Sequence, residues 1–511
     1  MTLPPPGTPI ILDVGSAYTK VGFAGESGPR YMFPTITGTE KYKTVMVDVD
    51  ARNVYVGSDA MKMRGVLKIN HPIERSTIKD WDDWYQILNH AFYTLLRIEN
   101  PQNYPILYVE PPFQQNDVKE YIARVMFETH QFQSIIMVPS PILSCFSVGL
   151  TTGFVIESGD GITWIVPIIN GQIMYQAVQR LNLAGTDISQ NLKSLLMREG
   201  INITSSAVEE IIREIKEKNC YFVLDPENPK DTKDNVAYPM PDGSKVNIPS
   251  HILYEAPEVL FQPQMLGSNT PSIPQAIITC LENVNKEYWG DFLTHVVLSG
   301  GNLLHSGFEE RLKIDLDPLL SQLGPIPKPH EAESEVNRMK LQPVDGSQKQ
   351  VDTCPECGNL VTLSEGQKEC PECGASLDVP QIQIDMNNEE QEKFETPNVC
   401  PECGKNIKEE DSAFCPYCGA NLKKNQTQTS ATSTEDFAAA APNFQVSEYF
   451  DESQNALKFF VPDNLQLSIF NGAAILGSLP SFKKLFITHE EFQADKEIIH
   501  RDISQIFALY S

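Results

Sequence analysis

Two kinds of apolar spacing alternate along the first 325 residues. Short continuous or alternating runs read as strands. PIILDVGSAYTKVGFAG (9–25) is two of them around a tight Gly-Ser bend, which predicts a β-hairpin. YPILYVEPP (104–112) predicts a short buried strand, and GFVIESGDGITWIVPIINGQIM (153–174) three strands joined by two turns. Apolar residues recur at helical spacing in DDWYQILNHAFYTLLRI (82–98) and NDVKEYIARVMFETH (116–130), which predicts amphipathic helices. HVVLSGGNLLHSGFEERLKIDL (295–316) predicts a strand, a glycine turn and a helix. Such alternation gives an α/β body, and NALKFFVPDNLQLSIFNGAAILGSL (455–479) resumes it late in the chain.

The stretch between, residues 326–452, has a different texture. EAESEVNRMKLQPVDGSQKQ, DMNNEEQEKFE and KKNQTQTSATSTEDFAAAAPN are polar and read as flexible linkers. They separate two short modules, 352–378 and 398–422, each built as C-x2-C, 11 or 12 residues, C-x2-C. Local pairing groups Cys354, Cys357, Cys370 and Cys373 in one module and Cys400, Cys403, Cys415 and Cys418 in the other. Four thiolates suit tetrahedral Zn²⁺, and a closed four-cysteine shell leaves no position for substrate, so the sites are structural. Redox-active C-x-x-C pairs need a βαβ context, and none is visible around these motifs. Iron can occupy the same sulfurs. A module of about 20 residues has no core of its own, so the metal must supply its folding energy. The expected organisation is a body over 1–325, the insert over 326–452, and completion of the body over 453–511.

Composition narrows the partners. The 511 residues carry 67 acidic and 40 basic side chains, a formal charge of −27. That balance argues against broad binding to nucleic acid or anionic membrane, because phosphate affinity rests on cationic neutralisation. No apolar run is long enough to span a bilayer. The opening MTLPPPGTPIILDVG has neither the basic region nor the long apolar core of a signal peptide, so a reducing, cytoplasmic location is the expectation. The three remaining cysteines, Cys145, Cys220 and Cys280, read as small buried hydrophobes.

Two bends share one design: Asp13-Val14-Gly15-Ser16 and Ser158-Gly159-Asp160-Gly161. Bends of this kind expose successive backbone N–H groups and make anion nests. Facing each other, they would clamp a polyphosphate, with Lys20 adding a point charge and Asp13 and Asp160 holding Mg²⁺ through its waters. One such hairpin is an ordinary turn; its repetition, with LSGGN after a third strand, is what points to phosphate.

The same residues carry a family resemblance. ILDVGSAYTKVGFAGESGPRYMFPTITG, VYVGSDAMKMRGVL, NHPIERSTIKDWDDW, MFETHQF, GLTTGFVIESGDGITWIVPIINGQ, LNLAGTDIS, IKEKNCYFVLD, APEVLFQPQMLG, VVLSGGN and IIHRD resemble actin, in order and at near-actin spacing. The likeness covers 9–325 and 453–502. It implies a duplicated RNase-H-like fold, two lobes around a cleft for ATP or ADP with Mg²⁺. The small ribbons, with two Zn²⁺, interrupt that fold late in its third subdomain. The implied phosphate bends are Gly15, Ser16, Ala17, Tyr18 and Lys20, and Gly159, Asp160, Gly161 and Ile162. Gly185, Lys216 and Glu217 match ribose and adenine contacts. Gly300 and Gly301 match the turn under the nucleotide. Leu304 and His305 replace a Met-Tyr wall, Gln466 replaces an adenine-side lysine, and Ala17 replaces a glycine.

The hydrolytic group implied by the resemblance is Asp13, Glu157 and Ser140, with Trp164 beside them. It is altered. Ser140 stands where actin has its water-positioning glutamine, Trp164 where it has a histidine, and Glu157 where it has an aspartate. Serine is too short for the same reach, and tryptophan offers a donor but no acceptor. The expectation is ATP binding with weak or absent hydrolysis in an actin-related cytoskeletal or scaffold protein whose ribbons recruit a protein partner. Self-assembly and binding to actin itself stay open. The loop after Pro34 keeps an apolar Val45-Met46-Val47 tip suited to a filament contact, whereas an insert near 325 would crowd a lengthwise one. Two other readings stand beside it: an ATP-hydrolysing filament former, and a nucleic-acid or chromatin factor. The ribbons' few basic residues, Lys368, Lys405 and Lys408, weigh against the last.

Overall fold

The computed structural model describes residues 3–41, 54–203, 208–230, 232–240, 243–330, 351–353, 360–362, 444–450, 456–501 and 503. The eight motif cysteines and the Val45-Met46-Val47 tip lie outside them. The chain divides into two units, one of residues 1–339 with 439–511 and one of residues 340–438. In the second unit the described residues are two short antiparallel strands, Val351–Thr353 and Leu360–Thr362.

The larger unit is built on two sheets. Its central strands are β1 (Ile10–Val14), β2 (Tyr18–Phe23), β3 (Tyr31–Pro34), β4 (Pro105–Glu110), β5 (Ser134–Pro139), β6 (Gly153–Ser158), β7 (Thr163–Ile169), β8 (Gln172–Ile173), β9 (Gln179–Leu181), β10 (Val296–Ser299), β11 (Phe444–Phe450), β12 (Ala456–Pro462) and β13 (Ile487–Thr488). The first sheet runs β3-β2-β1-β4-β5-β13 and the second β8-β7-β6-β10-β12-β11, with β9 on β7. Each has an antiparallel three-strand meander, two parallel strands and an antiparallel edge, in the same places. The duplication is therefore explicit in the strand order.

The edge β11 corrects the expected limits of the insert. It pairs with β12 from Phe444 opposite Pro462 to Phe450 opposite Ala456, so the sheet resumes before residue 453. An edge strand buries little of its outer side, which lets Gln445 and an exposed Val446 sit there and hides the strand from an apolar-pattern search. The outgoing end also extends past 325. A Cβ on Gly290 would meet Pro327 O at 2.3 Å, and the His330 backbone N–H and Nδ1 face the Asp291 carboxylate at 2.9 and 2.6 Å.

Alternation along the strands sets the layers. Ile10 and Leu12 face an outer core with Ile106, Tyr108, Ile135 and Met137. Phe154 and Ile156 face the other outer core with Val296 and Leu298. Ile11, Leu107, Ile136, Val155 and Val297 meet in a third core that both sheets share. Helices α1 (Ser140–Phe146) and α2 (Ser468–Ser478) pack there, each following the last parallel strand of its sheet. They touch so closely that a Cβ on Gly472 would stand 1.8 Å from Leu143 O, so only glycine fits. The predicted helices over 82–98 and 116–130 begin as α-helix and end in a π turn, at His90–Leu95 and Val125–Thr129. Cys145, Cys220 and Cys280 are buried. Among the described residues no helix is long and apolar enough to cross a membrane.

Candidate functional site

The duplicated sheets bring their hairpin bends together at one cavity of about 400 Å³. Each bend closes with the same hydrogen bond, Gly15 N–H to Tyr18 O and Gly159 N–H to Ile162 O, both 3.1 Å. The bends touch: a Cβ on Gly161 would lie 3.0 Å from Ser16 Oγ. A third turn seals the base. Gly300 has φ of 95°, and a Cβ there would stand 2.2 Å from Ser158 O, so glycine is required twice over. Asn302 Nδ2 then donates to Gly159 O at 2.6 Å and ties this turn to the second bend. Of the phosphate-side residues expected from sequence, Gly15, Ser16, Ala17, Tyr18, Lys20, Gly159, Asp160, Gly161, Ile162, Gly300 and Gly301 all line the cavity.

Both lysines here are already paired. Lys20 Nζ sits 2.7 Å from Asp13 Oδ2, across the β1–β2 pair. Lys216, 3% exposed, donates to Gly185 O at 2.9 Å and lies 3.5 Å from Asp160 Oδ1. Gly185 stands behind the wall rather than on it: a Cβ there would meet Lys216 Nζ, Asp160 Oδ1 and Asn302 Oδ1 within 2.8–3.1 Å. Five acidic side chains, Asp13, Glu110, Glu157, Asp160 and Glu217, line the cavity with the two lysines Lys20 and Lys216. A polyphosphate enters such a site readily only with a divalent cation to offset the acidic excess.

Glu157 makes no ion pair among the described residues. Ser140 Oγ donates to it at 2.8 Å and Ser144 Oγ at 3.4 Å. Ser144 in turn bonds Ser299, which bonds Ser468, a line of hydroxyls running into the shared core. Burial pushes the Glu157 carboxyl up to about 7, with the nearby Asp13 charge adding to the rise. Trp164 lies directly opposite Glu157 across β6 and β7. The Arg180 guanidinium stands 5.8 Å from the Trp164 ring centre, and the Phe113 ring 6.0 Å away.

Glu217, Leu304, His305 and Gln466 also line the cavity. Leu304 is 52% exposed and offers an open apolar face. His305 is buried against Phe222, and desolvation, with the Lys216 charge beside it, pushes the imidazole down to about 4. It is therefore neutral at physiological pH. Burial raises the Glu217 carboxyl.

Sequence reading missed Arg75, Asp187, Ser144 and Asn302. Arg75, Asp187 and Asn302 sat within the quoted NHPIERSTIKDWDDW, LNLAGTDIS and LSGGN without a role assigned to them, and Ser144 had no local signal. Among the described residues no group of three or more His, Cys, Asp or Glu is arranged to hold a metal ion, and Asp13 and Asp160 both line the cavity. The actin family model matches residues 6–342, and a double zinc ribbon model matches residues 354–419.

Proposed function

The chain belongs to the actin family, with a double zinc ribbon inserted, and we propose that its cleft binds ATP or ADP with Mg²⁺ and hydrolyses ATP slowly or not at all. One observation carries the binding reading: the two bends meet across a cavity of nucleotide scale, with a buried lysine beside each. The bends and Lys20 would hold the phosphates. Asp13 and Asp160 would hold the hydrated Mg²⁺, which neutralises phosphate charge when bound. Glu217, Leu304, His305 and Gln466 would bound the base and ribose.

Slow hydrolysis follows from the attacking side. Ser140 is committed to Glu157 and is too short to reach a water at the terminal phosphate. Trp164 supplies no acceptor. Phosphoryl transfer depends on a positioned nucleophile, and small displacements cost orders of magnitude in rate. The test is nucleotide retention after gel filtration, followed by phosphate release with Mg²⁺. We expect tight retention, little release, and a rise of about tenfold or more in Ser140→Gln. Wild-type release equal to that of the variant overturns the slow-hydrolysis reading.

The ribbons are proposed to hold two Zn²⁺ and to recruit a protein partner in the cytoplasm. Their closed four-thiolate shells leave no catalytic position, and their acidic surroundings disfavour nucleic acid. Metal analysis returning fewer than two tightly held zinc ions per chain counts against them.

A further inference from the structure

The second sheet ends on a strand that, among the described residues, pairs on one side only. Strand β11 (Phe444–Phe450) lies antiparallel to β12 through all seven of its residues, and its other side is the outer edge of the sheet. Its counterpart in the first sheet, β13, is two residues long and runs straight into the helix His489–Ala494. Short edges of that kind block further pairing, as do lysine, proline and bulges. Strand β11 has none of these: its sequence, FQVSEYF, holds no lysine and no proline, and its register with β12 is unbroken. The apolar layer also runs past the edge. Val446 stands opposite Phe460, which packs on the shared core, yet Val446 is itself 44% exposed. Phe444, on the same face, holds its ring 5.8 Å from that of Phe460.

The sequence of β11 suits a second copy of itself. Residues that face each other directly in an antiparallel pair lie on the same side of the sheet, where their side chains interact. A two-fold axis at Ser447 pairs all seven residues: Phe444 with Phe450, Gln445 with Tyr449, Val446 with Glu448, and Ser447 with its own copy. The aromatic ends then meet, and no charge faces a like charge. Moving the axis one place, to Glu448, sets carboxylate against carboxylate, which destabilises a pair. This self-complementary pattern singles out a second copy as the occupant, because a foreign strand would not require it. We propose that the β11 edge is a homodimer interface, in which two copies of the chain join their second sheets across a two-fold axis at Ser447. Such a dimer is closed, unlike a head-to-tail filament. A pair of seven-residue strands is a small interface, so a dissociation constant in the micromolar range is expected. The proposal is independent of the nucleotide reading of the cleft.

The test is sedimentation velocity of the full chain over a concentration series. Salt at about 0.15 M screens the charge of −27 per chain beyond about 8 Å. The variants follow from the register. Val446→Glu sets a glutamate against Glu448 at two symmetric places and should weaken the dimer about tenfold. Val446→Lys sets a lysine there instead and should leave the dimer as tight as wild type or tighter. Combining Val446→Glu with Glu448→Lys exchanges the charges and should restore the lost affinity. Damage to the β11–β12 pairing within one chain would act alike in the glutamate and lysine variants. Equal effects of the two, no effect included, therefore overturn the proposal. So does a wild type that stays monomeric at about 100 μM. Concentration-independent protection of the β11 amides from hydrogen exchange would then show the edge to be covered within a single chain.

Discussion

The first and second bends share a backbone and differ in charge. Strand register makes Asp13 equivalent to Glu157, Ala17 to Gly161, and Lys20 to Trp164. In the first lobe the facing pair is an ion pair, Asp13 with Lys20 at 2.7 Å. In the second the cation is gone. Trp164 faces a carboxylate held by serine hydroxyls, and burial lifts that carboxylate to about 7. One duplicated hairpin thus carries an ion pair on one side and, on the other, a titratable carboxyl that makes no ion pair among the described residues.

The largest effect comes from breaking the ion-paired side. Lys20→Met leaves Asp13 buried without its cation and removes the charge aimed at phosphate. Removing one partner of a buried pair costs about 3–5 kcal/mol. We expect a drop of that order in unfolding free energy and at least a hundredfold loss of MgATP affinity. Denaturant titration and nucleotide competition read the two separately. A variant that keeps both would mean that the pair is solvated and that the bend alone holds phosphate.

The other side predicts a pH dependence. The folded-state pKa of Glu157 is raised above the ordinary value of 4.5 to about 7. The native state therefore binds the extra proton, and this contribution to stability is fully present below about 4.5. It is lost as pH rises through about 7. Glu157→Gln removes the titration. Its unfolding free energy should gain on the wild type by up to about 3 kcal/mol between pH 4.5 and 8. Parallel stability–pH curves for the two proteins would show that Glu157 ionises freely and that the lobes are electrostatically alike.

Much of this comparison is legible in sequence because its signals are local. Apolar alternation marks β1, β2, β6 and β7, and glycine with aspartate marks both bends, all within runs of about 20 residues. The cysteine spacing is equally local. What escapes depends on distant partners. Arg75 and Asp187 are 112 positions apart, and neither is unusual where it stands. Ser144 and Ser299 are 155 apart, each an ordinary small residue in an apolar run. Strand β11 escapes for another reason: at a sheet edge it does not need the apolar pattern by which strands are recognised. Local chemistry thus announces the two bends, while the residues that tie them to their surroundings emerge only when the sheets are assembled.

The smallest effects sharpen the comparison at single methyl groups. Gly159 and Gly161 flank the same aspartate, yet their surroundings differ. A Cβ on Gly159 would meet nothing closer than Ile162 O at 4.0 Å, and its φ is not left-handed. A Cβ on Gly161 would press on Arg75 Cα and N and on Ser16 Oγ at 2.9–3.0 Å. Two of those three atoms are backbone, so relief requires the Arg75–Ser76 turn, at φ of 45° and 58°, to move. We expect Gly161→Ala to cost about 2 kcal/mol in unfolding free energy and to weaken MgATP measurably, and Gly159→Ala to cost under about 0.5 kcal/mol. The first bend already holds the counterpart, since Ala17 occupies the position of Gly161, with its carbonyl accepting from Thr35 N–H at 2.9 Å. Ala17→Gly should therefore lose only about 0.5 kcal/mol, through unfolded-state entropy, and leave nucleotide affinity unchanged. Equal losses for alanine at 159 and 161 would mean that the lobes part easily at the second bend, contrary to a fixed spacing across the cleft.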